Sequence, residues 1–126
     1  MAVVWQKRPS NIKRNGHHRE WGVPVFPDVE KARSYVTAPW DDEPFPQFIP
    51  VDGRYRVACA LESARRTKIA CASAVLMFDD YVNRQFYHPV EEFLGSPELG
   101  ERTAIFHIGS QNVDSSAVMH WLSDAK

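Results

Sequence analysis

The distribution of tryptophan and proline divides this chain of 126 residues into two unlike parts. Residues 1–50 hold three of the four tryptophans and seven of the nine prolines. Proline fixes its own φ, lacks an amide N–H and restrains the residue before it, so this segment has few ways to form long helices or strand ladders. Its large apolar side chains must therefore pack on the rest of the chain or on a partner. The pattern predicts an extended N-terminal half and a compact remainder.

The length of the chain favours a single domain over residues 1–126. A hydrophobic content of 44% excludes a wholly disordered chain. Within the domain we predict a basic N-terminal arm over residues 1–22 and a proline- and aromatic-rich wrapping segment over 23–47. A compact α+β core follows over residues 48–126.

No stretch of the sequence is typical of a membrane span. The longest apolar run covers only residues 69–78 and is interrupted by Ser73, whereas a spanning helix needs about 20 apolar residues. The first charges follow the apolar N-terminal residues, the reverse of a signal peptide, and no lipidation motif is present. We therefore expect a cytoplasmic protein with no membrane partner.

The residues that hold metals and cofactors are scattered. The two cysteines, Cys59 and Cys71, lie among small apolar residues and are predicted to be buried thiols. The five histidines form no HxxxH or HExxH pattern, and the six glycines form no phosphate-binding loop. The sequence predicts no metal, no cofactor and no catalytic residue, so we expect a protein that is not an enzyme.

The clearest local signal in the second half is the dipeptide Asp52-Gly53 between two apolar runs. Asp-Gly is a preferred two-residue hairpin turn, which predicts a hairpin of strands 48–51 and 54–61. Pro50 cannot donate a ladder hydrogen bond, so its strand should lie at an edge of the sheet.

Helical periodicity extends over two further segments of this half. A wide apolar stripe predicts one long helix over about 64–86, in which Asp79 and Asp80 belong to a solvated face. A cap at Asp114 predicts a short C-terminal helix over about 114–124.

The remaining segments complete the expected fold. Asp28 favours a short helix over 29–36, Ser96 a further helix start, and residues 103–108 alternate as a strand. We predict a small α+β fold, in which a mainly antiparallel sheet of three or four strands packs against one long and one short helix.

The charge of the chain is unevenly distributed. Residues 1–19 carry five basic side chains and no acid, so the other 107 residues, with ten basic and sixteen acidic side chains, have a net charge of −6. Such an arm can contact an acidic protein surface, bind nucleic acid with the help of Trp5 and Trp21, or remain solvated.

The segment 40–45 combines acidic and aromatic residues. Trp40 and Phe45 flank the acids Asp41 to Glu43, and the neighbouring prolines prevent regular structure. Three interpretations are open. The aromatic residues can anchor a surface loop to the core, the segment can dock in a basic groove of a partner, or it can pair with the basic arm.

The sequence thus favours a non-catalytic protein that binds a larger protein or protein complex, as an adaptor, assembly subunit or stoichiometric inhibitor. The predicted contact residues are Trp5, Lys7, Arg8, Lys13, Arg14, Arg19, Trp21, Trp40, Asp41, Asp42 and Glu43. A nucleic-acid-binding protein that uses the basic arm is the alternative. A small metal-free hydrolase or nuclease that uses His107, His120 and Arg56 is the third hypothesis. The oligomeric state stays open.

Overall fold

The structure is a computed structural model that describes residues 18–20, 23–24, 28–41 and 46–126, the first two ranges as backbone only. The strands are β1 His18–Glu20, β2 Val23–Pro24, β3 Phe48–Val51, β4 Ala74–Phe78, β5 Glu98–Leu99 and β6 Ala104–Ile108. The α-helices are α1 Val29–Thr37, α2 Arg56–Ile69, α3 Glu91–Leu94 and α4 Ser115–His120. Short 3-10 helices cover Ala38–Asp41, Gln85–Val90 and Trp121–Ser123. The described residues thus form the small α+β fold that the sequence predicts.

The sheet topology places two parallel strands side by side. The order is β3-β4-β6-β5, in which β3 and β4 are parallel and the other two pairs are antiparallel. Strand β3 is at the edge of this described sheet, which confirms the expectation from Pro50. Strands β1 and β2 form a separate antiparallel pair. A mainly antiparallel sheet of four strands is therefore correct.

The predicted hairpin over 48–51 and 54–61 is wrong. Only its first strand forms, and the chain continues from Tyr55, at φ 54°, into helix α2. Residues 57–61 are all apolar and all buried in α2, so this run by itself does not distinguish a strand from a buried helix. Helix α2 then serves as the crossover that two parallel strands require.

The predicted long helix over 64–86 is also wrong. Helix α2 ends at Ile69, and Cys71 adopts φ 53°, a left-handed conformation that a continuing helix does not permit. Residues 74–78 then form β4, whose residues alternate between buried and half-buried. A short apolar run suits a buried strand as well as a buried helix. The helix expected after Ser96 is absent too, because Glu98 and Leu99 pair with β6.

Elements with local start signals are where the sequence predicts them. The Asp28 side chain accepts a hydrogen bond from the Lys31 amide and caps α1. The Asp114 side chain likewise caps α4 by accepting from the Ala117 amide. Strand β6 buries Ala104, Phe106 and Ile108, with His107 on the other face.

Helix α2 and the strands it joins form the centre of the core. One face of the sheet packs against α2 through fully buried side chains such as Ile49, Leu76 and Phe106. Helices α1 and α4 pack on α2 in turn, so the helices form a layer on this face. None of the helices in the described part of the chain is long and apolar enough to cross a membrane.

Candidate functional site

The end of each parallel strand carries an aspartate. Val51 of β3 pairs with Phe78 of β4 in register, and the next residues are Asp52 and Asp79. Adjacent parallel strands present their carboxyl ends at the same edge of a sheet, so these two acids are neighbours in space. Open sheets with parallel strands bind ligands at this edge. We call the region formed by Asp52, Gly53, Asp79 and Asp80 the carboxyl edge.

The Asp52 carboxyl lies close enough to Asp79 for the charge of one acid to act on the other. Partial burial raises the pKa of the Asp52 carboxyl above its ordinary value of 3.8, and the negative charges of Asp79 and Asp80 act in the same direction. The Arg56 guanidinium lowers this pKa and only partly offsets the increase. The Asp52 side chain is still 62% exposed, so a ligand can reach it.

Arg56, at the start of α2, connects the two strand ends. Its Nε donates to the Gly53 carbonyl at 2.9 Å and its Nη1 to the Asp79 carbonyl at 2.8 Å. Its Nη2 lies 3.6 Å from the Asp52 carboxylate. The guanidinium also lies over the Tyr87 ring, 5.5 Å from the ring centroid. The strand ends are therefore held by one side chain that is only 12% exposed.

Asp80 forms the outer rim of the carboxyl edge. Its carboxylate pairs with Arg102 at 3.1 Å and lies 3.9 Å from Arg84. Asp80 and Tyr55 both have positive φ, 52° and 54°, a conformation that non-glycine residues seldom adopt. Such backbone is common at functional sites, where the surrounding contacts maintain it.

Tyr81, the residue after Asp80, is buried in the core next to the carboxyl edge. The Tyr81 hydroxyl donates to Glu91 at 2.5 Å, and the His88 ring stacks on Tyr81 at 4.6 Å. Burial and the bond to Glu91 raise the pKa of Tyr81 well above its ordinary value, so this side chain stays neutral. Tyr81 is 1% exposed and therefore has a structural role.

The N-terminus of α2 faces the carboxyl edge but is already bonded. The amides of Tyr55 and Arg56 donate to the carbonyl oxygens of Ala125 and Lys126 at 3.1 and 2.8 Å. A free helix N-terminus attracts anions, whereas these first amides of α2 are satisfied by the chain itself.

Most of the contact residues predicted from the sequence lie outside the described residues, namely Trp5, Lys7, Arg8, Lys13, Arg14, Trp21, Asp42 and Glu43. Arg19 lies in β1, which is described as backbone only. Trp40 is half-buried and packs against the core, as expected of an anchor, and Asp41 is exposed. The predicted contact surface therefore stays a prediction.

The residues of the hydrolase hypothesis are not brought together. His107 pairs with Glu98 at 3.1 Å on β6, opposite Val75 near the start of β4. Arg56 contacts Asp79, four residues further along, which at the usual strand rise is about 13 Å away. His120 is exposed on α4 beside Trp121.

The cysteines only partly follow the prediction. Cys59 is buried, and this burial raises the pKa of its thiol, whereas Cys71 is exposed, so the expectation of two buried thiols is wrong for Cys71. Cys71 lies outside α2, in the turn that leads to β4. Among the described residues, no group of three or more histidine, cysteine or acidic side chains is placed to hold a metal ion.

The carboxyl edge was not predicted from the sequence. The available signal was that two short apolar runs, Phe48–Val51 and Ala74–Phe78, are each followed directly by aspartate. When both runs are interpreted as adjacent parallel strands, Asp52 and Asp79 are expected at the same edge of the sheet. The hairpin interpretation of Asp52-Gly53 placed Asp52 in a turn and Asp79 on a helix, and so separated them.

One solved structure is similar over most of the chain. It is the crystal structure, at 1.80 Å resolution, of a methyltransferase-like protein from Silicibacter pomeroyi DSS-3. The two are 34% identical with a TM-score of 0.66, and the match covers 85% of this chain and 57% of that protein. This chain thus spans little more than half the length of the similar protein. No protein-family model and no curated protein matches the sequence.

Proposed function

We propose that this chain forms the acceptor side of a methyl-transfer site, with Asp52 of the carboxyl edge as the group that takes the acceptor's proton. The observation that carries the proposal is the Asp52–Asp79 carboxyl pair at the ends of two adjacent parallel strands. In open parallel sheets, ligands bind beside the carboxyl ends of the strands, and this pair lies at the carboxyl ends of the two parallel strands. The 34% identity to a methyltransferase-like protein supports methyl transfer as the type of reaction.

The chemistry requires a base near the acceptor. When a methyl group is transferred to a hydroxyl, amine or thiol, the new bond to the methyl carbon forms and the acceptor's proton must leave. A carboxylate with a raised pKa accepts such a proton better than an ordinary aspartate does. Asp52 has the raised pKa and the exposure that this role needs.

The first two amides at the N-terminus of α2 are not free to bind an anionic group of a methyl donor. The Tyr55 and Arg56 amides there are already bonded to Ala125 and Lys126. The described residues of the carboxyl edge are therefore assigned to the acceptor alone.

The experiment compares the chain with its Asp52→Asn variant. Each is incubated with an isotopically labelled sulfonium methyl donor and a panel of small hydroxyl, amine and thiol acceptors. Asparagine preserves the shape of the side chain but cannot take a proton, so we expect kcat/KM to fall by about 10²–10⁴-fold. Glu92→Gln is the control, since Glu92 is an exposed acid on α3.

Two results would overturn this proposal. One is that the folded chain transfers no label to any acceptor class in the panel. The other is that Asp52→Asn retains the same activity as Glu92→Gln.

We propose a protein-binding function as the second candidate, because the described elements leave one apolar face of the sheet partly exposed. The face opposite α2 carries Phe48, which is 40% exposed, and the half-buried side chains Pro50, Val75, Met77 and Ile105. We call these five residues the open face. Contiguous apolar surface is typical of interaction sites. This candidate retains the adaptor, assembly or inhibitor role predicted from the sequence.

The binding function is tested by changing the open face. Phe48→Glu and Ile105→Glu should abolish recovery of a specific partner from extracts of the native host. The control is Met119→Glu on α4, where Met119 is 49% exposed outside the sheet. Equal recovery by all three variants would exclude the open face as the contact surface.

The other predictions from the sequence stay predictions. Nucleic-acid binding depends on the basic arm over residues 1–22, and a steep decrease of affinity with salt would support it. The cytoplasmic location is likewise part of the proposal.

A further inference from the structure

Arg56 joins two segments that are far apart in the sequence. Its guanidinium binds the Gly53 carbonyl and the Asp52 carboxylate on the β3 side, and the Asp79 carbonyl on the β4 side. Each contact uses a different nitrogen of the same planar group. The two strand ends are therefore fixed relative to each other by one rigid fork.

The position of this fork is itself tightly restrained. The Arg56 side chain is 12% exposed. Tyr87, at 2% exposure, lies beneath the guanidinium. The Arg56 amide is also fixed, because it donates to Lys126. A lysine at this position would retain the positive charge but could not bind three acceptors in fixed directions.

We propose that Arg56 is a positioning residue that holds the ends of β3 and β4 together and so keeps the Asp52 and Asp79 carboxyl groups next to each other. The inference rests on the proposed function, since that function uses the pair. It goes further by assigning the geometry of the pair to a residue that itself takes no proton.

An experiment on the Asp52–Asp79 pair must take account of the other charged and titratable groups around it. Asp52 is surrounded by Arg56 from α2 and by Asp79 and Asp80 from the turn after β4. Arg56 also faces Tyr87 from the 3-10 helix Gln85–Val90. Arg84 and Arg102 pair with Asp80 on the outer rim and do not contact Asp52 in the described contacts.

The experiment measures whether the two carboxyl groups influence each other. Carboxyl carbon NMR gives the pKa of Asp52 in the full chain and in Asp79→Asn. Removing the Asp79 charge should lower the pKa of Asp52, because that charge raises it. The same comparison is repeated in an Arg56→Lys background. If Arg56 positions the pair, Asp79→Asn no longer shifts the pKa of Asp52 there.

The matched control is Arg84→Lys, which changes an exposed arginine of the rim. In that background Asp79→Asn should lower the pKa of Asp52 as it does in the unchanged chain. A purely structural role for Arg56 would lower the melting temperature of Arg56→Lys but leave the effect of Asp79→Asn intact, and this result would overturn the proposal.

A second measurement needs no substitution at Arg56. In the unchanged chain, the Arg56 Nε–H resonance should titrate with the same midpoint as the Asp52 carboxyl, since both belong to one bonded group. An Arg56 resonance that ignores the Asp52 titration would contradict the inference even if Arg56→Lys does not fold. Failure of the methyl-transfer assay with intact coupling would remove the proposed function alone.

Discussion

At the scale of single residues, Asp52 is exposed to solvent, yet its carboxyl ionises less readily than that of an ordinary aspartate. Its carboxyl is 62% exposed, yet burial of part of the group and the charge of Asp79 raise its pKa. An acid whose pKa is higher in the folded state than in the unfolded state binds its proton more tightly when folded. Ionisation of Asp52 therefore lowers the stability of the fold, which is typical of residues kept for function.

This reasoning predicts the pH dependence of stability at Asp52. The stabilising contribution of its proton is present at pH below the ordinary value of 3.8 and is lost as the pH rises through the raised value. Asp52→Asn cannot ionise, so it should be at least as stable as the unchanged chain at pH 7. The measurement is urea unfolding at a series of pH values between 3 and 7.

The difference in unfolding free energy between the two proteins is the quantity to compare. It should shift in favour of Asp52→Asn as the pH rises. A lower stability of Asp52→Asn at pH 7 than at pH 3, relative to the unchanged chain, would show that the ionised carboxylate is stabilising. In that case folding does not raise the pKa of Asp52.

The sequence supplied the residues of the carboxyl edge but not their proximity. An aspartate after a short apolar run is visible without a structure. That Asp52 and Asp79 meet depends on the parallel pairing of β3 with β4, which no local pattern specifies. Arg56 is harder still to find, since its role follows from backbone carbonyl groups that the sequence does not distinguish.

At the scale of elements, local chemistry separates the correct predictions from the wrong ones. Helices α1 and α4 were predictable because Asp28 and Asp114 cap them within three residues. Strand β6 was predictable because one of its faces is exposed, so polar His107 interrupts the apolar residues.

The central elements α2 and β4 lack such contrast. Residues 57–61 of α2 and all five residues of β4 are apolar, so each run fits a helix, a strand or a hairpin equally well. Their boundaries are set by Tyr55 and Cys71, which have positive φ without being glycine. Since non-glycine residues rarely adopt this conformation, nothing in the residue types at these positions predicts the end of an element.

At the scale of the whole molecule, the last described residues hydrogen-bond to the start of the central helix α2. The carbonyl oxygens of Ala125 and Lys126 accept hydrogen bonds from the first amides of α2, and Leu122 is buried nearby in the core. Helix α2 has no side-chain cap at Tyr55, so the tail substitutes for one. The helix that carries Arg56 therefore depends on residues about seventy positions later in the sequence.

This dependence predicts the effect of shortening the chain by residues 124–126. The amides of Tyr55 and Arg56 would lose their acceptors at 3.1 and 2.8 Å, which should lower the unfolding free energy by about 1–2 kcal/mol. Hydrogen exchange at these two amides should become faster than at the Cys59 amide, which bonds within α2.

Lys126→Ala is the control, because it preserves the carbonyl group and removes only the ammonium that lies 5.0 Å from the Phe86 ring. That control should cost about 0.5 kcal/mol or less, as expected of an exposed cation–π contact. If the shortened chain is no less stable than Lys126→Ala and its Tyr55 and Arg56 amides exchange at unchanged rates, the tail does not cap α2.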